Sequence, residues 1–221
     1  MNEFIRSTVE YQQWGWNAVC IGSIGTVVFT FIEGWGLWKQ NQTIWRGLSG
    51  TSVSVSWLSY SLFSVAAFFF YGMHTRSIAV LFHGAFLTVV YIPVVLGLWR
   101  YKGFSPWERV QFFLFALMVP AMALLPWKKA TFLVISVGAV YSLATEPFEL
   151  WKTRLPGVVD GRFLVACIAS TTFWIIYAFA IGDWALEALA SVNVLLLSVS
   201  LALWCLYRHR ELIRAGAPQR S

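Results

Sequence analysis

The stretch KQNQTIWRGLSGTSVSVSWLSYSLFSVAAFFFYG, residues 39–72, opens on a polar, basic octet and passes into an apolar run over 52–73. A helix needs about 20 predominantly apolar residues to cross the hydrocarbon core of a bilayer, so the run reads as a membrane helix with a charged collar. Six more runs of this kind flank it, at 16–38, 78–99, 109–126, 130–150, 161–181 and 186–207. Every connection between them is short, and none is long or polar enough to fold as a separate soluble domain. Charged residues are 12% of the 221 positions, about half the fraction usual in soluble domains. The expected class is an all-α membrane protein with seven transmembrane helices.

A net charge of +6 would fit a nucleic-acid partner if it were spread over one surface. Its distribution points to the lipid bilayer instead. Numbering the boundaries alternately leaves four basic residues, Arg6, Arg76, Lys128 and Lys129, on the N-terminal side and twelve on the other. The richer side is the cytoplasmic one, which puts the N-terminus outside and the C-terminus inside. Glu3 and Glu10 against Arg6 give the first ten residues the wrong charge for a signal peptide, so 16–38 is expected to be a retained helix, with the plasma membrane as the default location. Cys20, Cys167 and Cys205 fall inside apolar runs without CxxC spacing and read as small core residues.

The quoted stretch has a second copy. Displaced by 106 residues, 39–72 lies over 145–178, TEPFELWKTRLPGVVDGRFLVACIASTTFWIIYA. Trp45 then meets Trp151, Arg46 meets Lys152, Leu58 meets Leu164, Ser64 meets Ser170, Phe68 meets Trp174 and Tyr71 meets Tyr177. Beyond Tyr71 the first copy reads as about two residues shorter, which brings Arg100 over Arg208. Two three-helix units with the same orientation need an odd number of helices between them, and 109–126 supplies one. The plan is 1–106 as an N-terminal bundle, 107–129 as a linker helix, 130–210 as a C-terminal bundle and 211–221 as a cytoplasmic tail. Parallel repeats of this kind recur among transporters, with the substrate near mid-membrane between them.

The segment Lys39 to Arg46 with the serine-rich helix ending in Tyr71-Gly72, and Glu146-Pro147-Phe148-Glu149-Leu150-Trp151-Lys152-Thr153 with the helix ending in Trp174 and Tyr177, resemble the PQ-loop pattern. Together with the seven-helix plan, the chain resembles the SWEET/PQ-loop superfamily over roughly 16–210. That resemblance implies two parallel three-helix bundles joined by a linker helix, and transport of a sugar or an amino acid. The first copy has Lys39-Gln40 where the family has Pro-Gln; the second keeps Pro147, which breaks the backbone ladder and bends its helix. Sugar-carrying members place an asparagine about one turn into the third helix of each unit. By spacing, that position falls on His83 and on Ala190 or Ser191, with Asn193 within a turn.

Ionisable groups inside a spanning helix cost about 2.5–3.5 kcal/mol on insertion scales and tend to face the bundle interior. His83, Ser191 and Asn193 lie deepest and are the leading substrate-binding residues. On the second helices Trp57, Ser61 and Ser64 share one face by their spacing of three and four. Ser170, the repeat counterpart of Ser64, and Trp174, that of Phe68, stand on the matching helix of the second unit. Aromatic faces with hydroxyls beside them suit an uncharged polar solute, while for any one of them taken singly interhelical packing is the favoured reading. Glu33, Glu146, Glu187 and Pro147 are the candidates for gating or proton coupling. Asp183 reads as a turn or cap residue.

No HExxH, GxSxG or P-loop motif is present, and His74, His83 and His209 sit on different elements, so neither an enzyme, a metal site nor a bound cofactor is expected. The last run lacks the lysine a retinal protein needs. The expected function is transport of a small polar solute, a sugar first, by alternating access. Its rivals are a proton-coupled amino-acid exporter and a receptor that binds on the same scaffold without net transport. One chain holding both units suffices for a central pathway, which a homo-oligomer would repeat.

Overall fold

The structure, a computed structural model, describes residues 2–48, 54–154 and 161–216; the side chains of a few helical positions, Glu146 and Glu149 among them, lie outside the described residues. Two short helices, α1 (Asn2–Arg6) and α2 (Val9–Gln12), precede the long ones. These are α3 (Ala18–Gly47), α4 (Val55–Thr75), α5 (Ile78–Tyr101), α6 (Pro106–Ala116), α7 (Met118–Leu124), α8 (Lys128–Thr153), α9 (Gly161–Ile181) and α10 (Trp184–Gly216). No strand occurs among the described residues. Among the described residues six segments are long and apolar enough to cross a membrane: α3, α4, α5, α6 with α7, residues 164–181 of α9 and residues 184–210 of α10, while α8, over the expected run 130–150, is not among them. The chain is an integral membrane protein.

Polar residues at the boundaries set where the helices begin. Asn17 accepts from the Cys20 amide at 3.0 Å, and Ser77 accepts from the Val80 amide at 3.0 Å. Ser105 and Glu108 form a reciprocal capping box with Pro106 at the first helical position; that arrangement satisfies amides which have no partner within the helix. Two boundaries differ from the sequence reading. Lys39 to Arg46, expected in a loop over 39–51, forms the last turns of α3. The expected single linker helix is interrupted at Leu117, dividing α6 from α7. In the first case the hydropathy marks where the bilayer ends, while the helix, good at satisfying its own backbone, continues past it.

The packing has a repeating order. α5 lies against both α3 and α4, and α10 lies against both α8 and α9. Between these groups α3 packs on α9 and α4 on α8, with α6 and α7 against α4. Glycines bring the backbones together, as small residues do between membrane helices. A Cβ on Gly22 of α3 would stand 2.9 Å from the Tyr177 backbone, and one on Gly84 of α5 would overlap the Phe69 backbone of α4.

We call the side carrying the α4–α5 turn the near face. There one buried cluster draws on all the long helices but α6: Val19, Tyr71, Val80, Met122, Phe132, Tyr177 and Leu186 are among its members. At the far face a second cluster, with Ile44, Leu58, Val94 and Leu98, takes its buried residues from α3, α4, α5 and Phe104. The near face is thus where the long helices other than α6 are tied together.

Candidate functional site

A cavity of about 200 Å³ lies below the near-face core. Glu33 of α3, Phe68 of α4, His83 of α5, Ser170, Thr171 and Trp174 of α9, and Leu186, Leu189, Ala190 and Asn193 of α10 line it. His83 is held from two sides. Its Nδ1 lies 3.0 Å from Thr30 Oγ1, and its ring packs edge-on to Trp174 (5.1 Å between centroids) and tilted against Phe68 (5.4 Å). Phe68 and Trp174, partners in the repeat, meet at 6.4 Å. Glu33 accepts from Ser170 Oγ at 3.4 Å. The Asn193 amide oxygen is buried with no hydrogen-bond partner, a state that costs about 1–3 kcal/mol unless a donor arrives.

Above the cavity two crossed hydrogen-bond systems close the near face. Tyr71 Oη, on α4, lies 2.7 and 2.8 Å from the two carboxylate oxygens of Asp183, the residue that caps α10 by accepting from the Ala185 amide at 3.1 Å. Tyr177 Oη, on α9, lies 2.5 Å from Ser77 Oγ, the cap of α5, and donates to Glu10 Oε1 at 2.5 Å. Glu10 also accepts from the amides of Ile78 and Ala79, each at 3.0 Å, and from Ser77 Oγ at 3.2 Å. Lys129 Nζ stands 3.7 Å from Asp183 Oδ1. Both tyrosines are fully buried, and Glu10 and Asp183 are buried with them. α4 therefore grips the start of α10, and α9 the start of α5.

This arrangement fixes the repeat register beyond Tyr71. The Ser77 amide bonds the Gly72 carbonyl at 3.0 Å and the Asp183 amide bonds the Ala178 carbonyl at 3.1 Å. Arg76 (φ 52°) and Gly182 (φ 66°) both sit in the left-handed conformation that ends a helix. The offset of 106 thus holds through Ser77 and Asp183, so the two-residue difference expected beyond Tyr71 does not fall in this turn. At that offset Leu189, rather than Ala190 or Ser191, stands opposite His83, and both His83 and Leu189 line the cavity.

Of the residues singled out from the sequence, His83, Asn193, Ser170, Trp174 and Glu33 come together in the cavity lining. Trp57, Ser61 and Ser64 do not. Ser61 and Ser64 are buried in the helix packing, and Trp57 is exposed and stacks on Tyr60 at 6.2 Å. Tyr60 explains that face: its hydroxyl donates to the Ile135 carbonyl and accepts from the Ala139 amide at 3.1 Å, joining α4 to α8. Ser191 is exposed and Glu187 half-buried, both outside the lining. Pro147 is buried within a continuous α8, and the Glu146 side chain lies outside the described residues. Asp183 is the cap its position implied.

Sequence reasoning passed over Glu10 and Thr30. A carboxylate in a short polar segment carries no local sign that it will be buried. Thr30 had a signal available, since with Thr26 it places hydroxyls one turn apart on the α3 face that meets His83. Among the described residues no group of three or more His, Cys, Asp or Glu side chains is placed to hold a metal. No family model matches the chain, and no characterised protein or solved structure does.

Proposed function

We propose that the chain is a membrane transporter that moves a small polar solute by alternating access, on a seven-helix 3+1+3 scaffold like that of SWEET and PQ-loop proteins. The observation that carries this reading is the position of the cavity. It lies between repeat-related residues, Phe68 with Trp174 and His83 with Leu189, directly beneath two crossed locks at one face. A central site closed on one side by bonds between two similar units is what rocking of those units requires. The packing order supports the scaffold: the third helix of each group lies between the first two, and α3 on α9 mirrors α8 on α4. With α8 counted as a span, α6 and α7 form the linker. The basic residues then put the near face outside and the far face in the cytoplasm. The plasma membrane remains the default location.

The test is flux through purified protein in proteoliposomes, with labelled glucose, sucrose, alanine and ethanolamine as probes. Saturable uptake of one of them, reduced at least tenfold by His83→Ala, is the expected result. A sugar, which the resemblance implies, is the reference solute. Saturable binding with no flux above empty liposomes for any probe would instead make this a receptor built on the same scaffold.

A further inference from the structure

The hydrogens of the cavity's hydroxyl groups are already committed to the protein. Thr171 Oγ1 donates to the Cys167 carbonyl at 2.8 Å, and Ser170 Oγ donates to Glu33. Thr30 Oγ1 donates to the Thr26 carbonyl at 2.8 Å. A hydroxyl has one hydrogen to give; with it on the shorter contact, to a carbonyl that can only accept, Thr30 meets His83 as an acceptor and Nδ1 carries the hydrogen between them. A neutral imidazole with its hydrogen on Nδ1 presents a lone pair at Nε2. Asn193 adds an unpartnered buried oxygen. Glu33 has Ser170 as its one hydrogen-bond donor, and no Lys or Arg pairs with it, among the described residues.

The lining is therefore rich in acceptors, carries one carboxylate, and has two aromatic rings beside it. Against these stand only the Asn193 amide hydrogens and the Trp174 indole as free donors. A neutral polyol brings two acceptor lone pairs for every donor hydrogen and would leave this imbalance in place. A protonated amine brings three N–H donors and a positive charge. It satisfies a carboxylate through charge-assisted bonds and is attracted to indole and phenyl faces.

We infer that the solute of this cavity is a small organic ammonium whose N–H groups are shared among Glu33, His83 Nε2 and Asn193 Oδ1, with its carbon skeleton against Trp174 and Phe68. Its movement across the membrane rests on the transport reading above; its binding does not.

The experiment pairs equilibrium dialysis of the full chain in detergent with uptake by proteoliposomes, using labelled ethanolamine, tetramethylammonium and glucose. Ethanolamine should bind saturably and more tightly than tetramethylammonium, which has charge but no N–H, and glucose should bind least. Glu33→Gln should weaken ethanolamine binding by about tenfold or more, the usual worth of one charge-assisted bond. Glu33→Asp should restore part of it, and Glu3→Gln, exposed and outside the cavity lining, should change nothing. Binding and flux of ethanolamine support both readings. Binding without flux keeps the ammonium class and removes transport of it. Flux of glucose with no ethanolamine binding overturns the ammonium class and leaves transport standing. Failure of all three probes to bind also overturns it, and because that comparison uses the unaltered chain, misfolding of a variant cannot produce it.

Discussion

Tyr71 gives its phenolic hydrogen to Asp183, a residue 112 positions later that also caps α10. The bond joins the end of α4 to the start of α10, and Tyr177, whose hydrogen goes to Glu10, joins the end of α9 to the start of α5, with Ser77 Oγ 2.5 Å away. Hydrogen bonds to a charged acceptor contribute about 1.5–3 kcal/mol when buried. Tyr71→Phe and Tyr177→Phe should each lower stability by that order, seen as a drop in thermal midpoint in detergent. They should also speed maleimide labelling of buried Cys20 at the near face, read by mass spectrometry. Unchanged labelling in both variants would mean that the bonds stabilise the fold without closing it.

Glu10 satisfies two helix-start amides as well as two hydroxyls. Glu10→Ala leaves the amides of Ile78 and Ala79 without this partner and should destabilise by about 1–3 kcal/mol. Glu3→Gln, at an exposed position of the same segment, should stay within about 0.5 kcal/mol of the parent. Equal effects from the two changes would show that the segment does not dock as described.

The glycines divide by what their missing Cβ would meet. Gly84→Ala presses on the Phe69 backbone, which cannot yield as a side chain can, and should destabilise by about 1–3 kcal/mol. Gly36→Ala has nothing within 4 Å and should be neutral or gain up to about 1 kcal/mol from its mid-helix position. Thermal midpoints of the two variants, measured side by side, check the contrast.

Thr30→Val keeps the shape of the side chain and removes the acceptor that fixes the His83 tautomer. Ligand affinity should fall several-fold, matching about 1 kcal/mol for one neutral hydrogen bond. Dialysis with ethanolamine would show it. An unaltered dissociation constant would mean that the ring's orientation is set by Phe68 and Trp174 alone.

How much of this could be read from the sequence follows from the range of each interaction. Bilayer thickness acts on contiguous residues, so six of the seven apolar runs coincide with helices long and apolar enough to span, among the described residues, and 161–181 matches α9 at both ends. Repeats also act along the chain, so the pairing of Phe68 with Trp174 and of Tyr71 with Tyr177 was visible before any contact was known. Helix ends were less legible: the polar turns Lys39 to Arg46 look like a loop but keep their helical bonds outside the apolar layer. The Ser61–Ser64 face was ambiguous because hydroxyls serve a solute and a helix interface equally well, and here Tyr60 decides for the interface with α8. Glu10 was beyond reach, since its partners stand 67 to 167 residues away and nothing near it in the chain announces them.

Those separations also order events during synthesis. Glu10 leaves the ribosome well before Tyr177, which is 167 positions behind it. Until α5 and then α9 have been inserted, the carboxylate has no buried partners and belongs in water. The segment that carries Glu10 therefore settles late, after the helices it sits on: the near face is sealed only when α9 and α10 are in place.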